Sequence, residues 1–247
     1  MFGRFTCFVA SLSFALVANA AEIKVLAPNA AKESVTEAIS VFEKATGHKV
    51  IVSWSGTEAI TKRVADGEPV DVVVNAAPNI ERQSKEGRLV AATRTDFAKS
   101  GIGVAVPSSA TRVDVSTVDS LKSALLSART VVLSSGTSGR YMVEVFAKLG
   151  VTEQLKAKTK QPPSGAQIAE VLAAGEADIG FQQISELLYA KGINYLGPVP
   201  AEIQNYTIYS AAQHVDTINP DAAKALLAAL RAPSTQGVVR ASGMEPS

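Results

Sequence analysis

Cysteine and histidine are nearly absent from this sequence of 247 residues. The single cysteine, Cys7, lies within the first twenty residues, so residues 21–247 can form no disulfide and offer no thiol nucleophile. The two histidines, His48 and His214, do not lie in clusters of metal-ligating residues. These absences exclude a disulfide-stapled fold and argue against zinc-type sites. We therefore expect no metal and no cofactor.

Neither positive nor negative charge predominates. The sequence has 24 Lys and Arg against 23 Asp and Glu, and without residues 1–20, which contain Arg4 and no acid, the numbers are 23 and 23. A chain with no net charge and no basic run is unlike a nucleic-acid-binding protein. Any binding of an anion must depend on a local site.

The long apolar run of the sequence is confined to its start. Arg4 precedes a mostly apolar stretch at residues 5–17, and Ala18-Asn19-Ala20 has the small-residue pattern of a cleavage site. The run is short for a membrane span. We interpret residues 1–20 as a secretory signal peptide and predict a periplasmic protein that is stabilised by a large core, since 47% of its residues are hydrophobic.

Strand-like and helix-like segments alternate along the chain, as in α/β proteins with parallel sheets. Strands are predicted at residues 22–27, 49–54, 70–75, 101–107, 177–181 and 206–212, and a further strand is predicted to end at residue 134. Glycine and proline residues that interrupt the pattern after residue 100 predict two α/β lobes. The first comprises residues 21–102 with 212–247, the second residues 103–211, and the chain crosses between them twice.

The segment SSGTSGRY, at residues 134–141, combines Ser, Thr and Gly between a strand and a helix. It is not the nucleophile motif G-x-S-x-G, and no histidine lies near it in the sequence. It is not a phosphate-binding P-loop, because Gly139 is followed by Arg140 and not by Lys. A Ser/Gly turn at a helix N-terminus does, however, present free N–H groups and a positive partial charge to an anion.

Similar turns follow other predicted strands, at the ends where α/β sheets bind ligands. Ser55-Gly56-Thr57-Glu58 also resembles a capping box, with Ser at the cap. Such residues cap helices without any ligand as well, so both interpretations stay open for each turn. The candidate ligand-binding residues are Asn29, Ala30, Ser55, Gly56, Thr57, Asn75, Ala76, Ser135, Thr137, Ser138, Gly139, Arg140, Ser164, Gln182 and Gln183.

Five stretches carry a resemblance to a known family: FEKATGHKVIVSWSGT, GEPVDVVVNAAPNIE, KSGIGVAVP, GTSGRYMVEVFAKLGV and GEADIGFQQISELL. They resemble the periplasmic solute-binding proteins of ABC importers with type II topology, in the branch of molybdate-binding proteins. The resemblance implies an α/β fold of two Rossmann-like lobes, joined by a two-strand hinge, that close on a small anion. It also implies a monomer that delivers its ligand to an ABC permease in the inner membrane.

The resemblance matches Ser55 to a serine that contacts the anion in this family. Two positions depart from the pattern of molybdate binders: Asn29 stands where a hydroxyl is usual, and Gln182-Gln183 where a tyrosine is usual. These amides and Arg140 favour a small organic carboxylate over a tetrahedral oxyanion such as molybdate. A sensor or accessory factor that binds a ligand without transport, and an enzyme on the same scaffold, are the alternatives.

Overall fold

The computed structural model describes residues 20–247. The predicted signal peptide therefore lies almost entirely outside the described residues. Among residues 20–247, no helix is both long enough and apolar enough to cross a membrane.

The first sheet is built mainly from the N-terminal third of the chain. Its strands are β1 (Glu22–Pro28), β2 (Lys49–Ser55), β3 (Val72–Ala76), β4 (Thr95–Ser100), β10 (Thr207–Gln213) and β11 (Glu245–Pro246). They lie in the order β11-β4-β10-β3-β1-β2. Strand β1 is parallel to both of its neighbours, while β10 runs antiparallel between β3 and β4. The carboxyl ends of the parallel strands thus meet at one edge.

The second sheet is formed by the middle of the chain. Its strands are β5 (Ile102–Pro107), β6 (Val131–Leu133), β7 (Thr159–Lys160), β8 (Ile179–Gln183) and β9 (Ile193–Pro198), in the order β7-β6-β8-β5-β9. Strand β6 is parallel to β7 and β8, and β5 is antiparallel to β8 and β9.

Helices cover both faces of each sheet, because the strands carry apolar residues on both sides. The helices are α1 (Lys32–Thr46), α2 (Thr57–Ala65), α3 (Ala77–Lys85), α4 (Val118–Ser127), α5 (Thr137–Lys148), α6 (Thr152–Lys156), α7 (Ile168–Ala173), α8 (Ile184–Leu187), α9 (Pro220–Leu230) and α10 (Gln236–Ala241). Two apolar clusters flank the first sheet, one with α1 and α9 and one with α2 and α3. Two more flank the second. This arrangement confirms the predicted α/β fold with two lobes.

Two chain segments connect the sheets, at residue 101 and at residues 199–206. They are tied together by Gln204, whose Oε1 accepts from the Ile102 N–H at 2.7 Å and whose Nε2 donates to the Ile102 carbonyl at 3.0 Å. The sequence assigned residues 207–211 to the second lobe. Instead they pair with β3 and β4 in the first sheet, because the returning chain joins that antiparallel ladder immediately after the connection.

Some local predictions differ from the structure. Strands β4 and β9 were not predicted, since their mixed sequences TDFAKS and INYLGP show no clear alternation. The predicted capping box at Ser55 is wrong. Ser55 ends β2, Gly56 occupies the cap position of α2 without a side-chain hydrogen bond, and Glu58 forms an ion pair with Arg140.

Candidate functional site

A small cavity lies between the two sheets, at the carboxyl ends of β1, β2, β6 and β8. Its volume is about 40 Å³, and since one water needs roughly 10–15 Å³ measured in this way, it has room for about three water-sized spheres. Its lining contains no lysine or arginine. The lining residues are Pro28, Asn29, Ala30, Ser55, Gly56, Thr57, Ser134, Ser135, Gly136, Thr137, Ser138, Ser164, Gly165, Ala166, Gln182, Gln183, Glu186 and Tyr209.

Two helix N-termini, one from each lobe, meet at this cavity. Helix α2 begins at Thr57 and helix α5 at Thr137, and a Cβ atom placed on Gly136 would lie only 3.2 Å from Thr57 Oγ1. The first N–H groups of a helix have no partner within the helix and carry its positive partial charge. The cavity is therefore suited to an anion although its wall holds no cationic side chain.

The hydroxyl of Thr57 is a donor without a partner. The residue is only 6% exposed, and its Oγ1 makes no hydrogen bond to any described residue. A buried hydroxyl left unpaired costs about 1–3 kcal/mol. A ligand oxygen in the cavity would remove this cost.

Serines line the opposite side of the cavity. Ser134 Oγ and Ser138 Oγ lie 2.9 Å apart, and Ser134 Oγ also accepts the Gly139 N–H at 3.2 Å. Ser134 thus fixes the start of α5 from the preceding turn. The contact between the two serines holds the Ser138 hydroxyl at the start of α5.

Tyr209, from the first lobe, adds a buried phenol to the wall. It is 1% exposed. Burial raises the pKa of Tyr209 well above its usual value, and the negative charge of Glu186 adds to this effect. The phenol therefore stays protonated and can act as a donor toward the cavity.

Glu186 contributes the single carboxyl group of the lining. Its Oε1 accepts a hydrogen bond from Gln182 Nε2 at 2.8 Å. Although the residue as a whole is partly exposed, desolvation of its carboxyl raises the pKa of Glu186 to about 7, against the opposing effect of hydrogen bonds from Gln167 and Gln182. Near neutral pH both the protonated and the ionised form of this group are therefore accessible.

The two lobes are closed over the cavity. Gly56 lies so near the opposite lobe that a Cβ atom on it would be 2.3 Å from Ser164 Oγ, so no larger residue fits there. Asn29 Nδ2 donates to the Gly165 carbonyl at 3.1 Å, and Ser164 Oγ accepts the Ala59 N–H of α2 at 3.3 Å. Asn29 and Ser164 line the cavity, and the hydrogen bonds of their side chains join the lobes.

Four predicted site residues lie outside the cavity lining. Asn75 is fully buried, and its amide bonds to the Thr57 carbonyl, Thr61 Oγ1 and the Ala76 N–H, so it supports the start of α2 from behind. Ala76 is a buried strand residue beside it. The structure thus places the turn after β3 behind the cavity, with the amide of Asn75 bonded to α2.

Gly139 and Arg140 also lie outside the cavity lining. A Cβ atom on Gly139 would lie 1.6 Å from the Ser134 carbonyl oxygen, so this glycine serves close packing of the turn. Arg140 points to the other lobe, where its Nη1 donates to Glu58 Oε1 at 2.6 Å. Arg140, which the sequence suggested as a partner of a carboxylate ligand, thus forms an ion pair with Glu58 of the other lobe.

The glutamine pair lines the cavity but is committed to protein contacts. Gln182 Oε1 accepts the Ile168 N–H at 3.0 Å, while its Nε2 bonds to Glu186. The Gln183 amide is best oriented with its nitrogen toward the carbonyls of Ser100 and Gly101, at 3.0 and 3.2 Å, and its oxygen toward Thr207 Oγ1 at 2.9 Å. Gln183 thus ties the cavity wall to the connection between the sheets.

A second, larger cavity of about 920 Å³ adjoins the first. Both cavities share Asn29, Ala30, Gly165, Ala166 and Glu186. The outer wall includes the exposed residues Lys32, Glu33, Glu170 and Tyr189. Glu186 therefore lines both the small cavity and the larger one, which opens to solvent.

Sequence reasoning missed several lining residues, chiefly Ser134, Gly136, Glu186 and Tyr209. Ser134 and Gly136 belong to the SSGTSGRY segment, so their Ser/Gly composition was a usable signal. Glu186 follows the glutamine pair by three residues and would be found by extending the turn after β8. Tyr209 had no signal, because it comes from a strand predicted to belong to the other lobe.

Comparison with known proteins decides the family. Residues 23–245 match the family described as bacterial extracellular solute-binding protein. This chain belongs to that family. Over 235 residues, 93% of this chain and 92% of the relative, it is 31% identical to the molybdate-binding protein ModA of Azotobacter vinelandii. It is also 31% identical to an aconitate isomerase of Pseudomonas sp over 230 residues, 91% of this chain and 87% of the relative.

Solved structures show the same fold. The periplasmic molybdate-binding protein of Azotobacter vinelandii superimposes with a TM-score of 0.76 at 19% identity, covering 90% of this chain and 98% of that one. The sulfate-binding protein SubI of Mycobacterium tuberculosis superimposes with a TM-score of 0.73 at 20% identity, covering 92% and 87%. The predicted type II solute-binding fold is therefore confirmed.

Proposed function

We propose that this protein captures a small anion in the 40 Å³ cavity between its lobes and delivers it to an ABC importer. The observation that carries the proposal is the pair of facing helix N-termini, with the unpaired hydroxyl of Thr57 between them. Such a site binds an anion through neutral donors, which matches the balanced charge of the chain. We further propose that residues 1–20 export the protein to the periplasm, where it acts as a monomer and without catalysis.

The size of the cavity favours a compact oxyanion. Room for about three water-sized spheres suits a tetrahedral anion better than a dicarboxylate or tricarboxylate in this closed form. Arg140 and the glutamine pair, which favoured a carboxylate at the level of sequence, are engaged with protein groups. The relatives that bind molybdate support the same ligand class.

A thermal-shift panel on residues 21–247 tests this function. It contains molybdate, tungstate, sulfate and phosphate, together with mono-, di- and tricarboxylates. A ligand at about a hundred times its dissociation constant stabilises the folded state by about 2.7 kcal/mol, so the melting temperature should rise by degrees. We expect a shift with one or more tetrahedral oxyanions. A panel without any shift would contradict the proposed function, and a shift with carboxylates alone would restore the carboxylate hypothesis.

A second candidate function is isomerisation of a small polycarboxylate. Two observations favour it: the identity of 31% with an aconitate isomerase, and the carboxyl of Glu186 with a pKa of about 7 in the cavity wall. A carboxyl with a pKa near the working pH can both accept and donate a proton. Proton NMR of trans-aconitate incubated with the protein in heavy water tests this candidate, which requires cis product or exchange of carbon-bound hydrogen for deuterium.

A further inference from the structure

Glu186 poses a problem for an anion site. It is the single carboxylate among the lining residues of the small cavity, and no lysine or arginine of that lining can neutralise it. Two negative groups that are both held away from water repel strongly, so that one of them takes up a proton. A bound oxyanion and an ionised Glu186 are therefore incompatible neighbours.

The groups around Glu186 do not remove this conflict. Gln182 and Gln167 donate neutral hydrogen bonds to the carboxyl, and Tyr209 faces the cavity from the first sheet as a protonated phenol. The other ionic groups that line the two cavities all belong to the larger cavity and are exposed: Lys32 and Glu33 from α1 and Glu170 from α7. Their two carboxylates outnumber the one ammonium group, so they give no net support to an ionised Glu186.

We propose that Glu186 and the bound oxyanion share one proton, so that the protein takes up its anion together with a proton. This inference rests on the proposed function and names the chemistry of its site. In the complex, the Glu186 hydroxyl donates a hydrogen bond to an oxygen of the anion. For a fully ionised anion the proton comes from solvent, which reaches Glu186 through the larger cavity.

The direction of the pH dependence follows from the protonation state of the free protein. Burial holds the pKa of the free carboxyl at about 7, and a bound anion raises it further because it favours the neutral form. Below this pH the carboxyl is already protonated, and affinity changes little. Above it each binding event must take a proton from solvent, and affinity falls about tenfold for each pH unit.

The test is calorimetric titration of the protein with molybdate, tungstate and sulfate between about pH 6 and about pH 9, a range in which the carboxyl of Glu186 passes from protonated to ionised. At about pH 8.5, titrations in two buffers of different ionisation enthalpy should show uptake of close to one proton per anion. The variant Glu186→Gln keeps a neutral donor in place. It should bind with little pH dependence and should exceed the wild type in affinity at about pH 9.

Glu170→Gln is the matched control, because Glu170 lines only the larger cavity and is exposed. It should keep the pH dependence of the wild type. Binding without proton uptake, or a Glu186→Gln variant as pH-dependent as the wild type, would overturn the proposal while leaving the anion-binding function intact. Failure of all three anions to bind at every pH would overturn the oxyanion-binding function as well.

Discussion

At the scale of single residues, a substitution at Thr57 best distinguishes an effect on anion binding from an effect on stability. Its Oγ1 is buried and unpaired, whereas Thr61 Oγ1, one turn later, donates to the Thr57 carbonyl at 2.9 Å and accepts from Asn75 at 3.1 Å. Both hydroxyls belong to the same helix. One is free to contact a ligand, and the other is used by the protein.

We expect Thr57→Val to weaken anion binding about tenfold, since a hydrogen bond to a charged group contributes about 1.5–3 kcal/mol. The melting temperature without ligand should stay the same or rise, because the substitution removes an unpaired polar group. Thr61→Val is the control, which should lower stability by about 1 kcal/mol and leave affinity nearly unchanged. Calorimetry and thermal unfolding of both variants give the comparison. Equal affinities for Thr57→Val and the wild type would show that Thr57 does not contact the anion.

At the scale of elements, the site depends on how α5 starts. The turn before this helix folds back so closely that Gly139 contacts the Ser134 carbonyl, while Ser134 Oγ accepts the Gly139 N–H. This contact aims the first N–H groups of α5 at the cavity. Gly139 is thus a packing residue that determines where the helix begins.

Gly139→Ala should therefore lower the free energy of unfolding by about 1–3 kcal/mol, the usual cost of overpacking, and should also weaken anion binding. Gly237→Ala is a matched control within α10, because a Cβ atom there would have nothing within 4 Å. That change should raise stability by up to about 1 kcal/mol through helix propensity. Urea unfolding of both variants measures the difference. A Gly139→Ala protein as stable as the wild type would show that the turn has room for a Cβ atom at this position.

At the scale of the whole molecule, the Arg140–Glu58 ion pair joins the lobes beside the cavity. Its 2.6 Å contact links residues 82 positions apart in the sequence. Both side chains are exposed, so the pair contributes at most about 1 kcal/mol. Because separation of the two lobes breaks this contact, its energy stabilises the closed form relative to the open form.

Reversal of one charge, as in Arg140→Glu or Glu58→Lys, should favour the open form. We expect affinity to fall about two- to fivefold at low salt, because the energy of an exposed pair is small and is screened by salt. The radius of gyration by small-angle scattering should rise. The double variant Arg140→Glu with Glu58→Lys should recover both values. Asp66→Lys, which breaks the exposed pair between Lys62 of α2 and Asp66 directly after that helix, is the control and should change neither. An equal effect of the control would point to net charge and not to closure.

The sequence predicted the fold well and the site in part. Alternating segments and Ser/Gly turns were enough to predict two α/β lobes and most of the cavity wall, because these signals are local. Asn75 and Arg140 were predicted as site residues from the same local signals, but they lie outside the cavity lining. Each has a polar side chain at a plausible turn, but its partner, Thr61 or Glu58, comes from an element that only folding brings near.

The sequence by itself determined the residue types at the ends of the strands, the absence of cysteine after residue 7 and the balance of charge. Tertiary structure alone decided which polar groups stay unpaired. It placed the phenol of Tyr209 in the wall, consumed the amides of Gln182 and Gln183 in protein contacts and left the hydroxyl of Thr57 without a partner. The physical reason is that two groups form a hydrogen bond only when they lie close together. Which groups of the two lobes lie close together depends on the whole path of the chain.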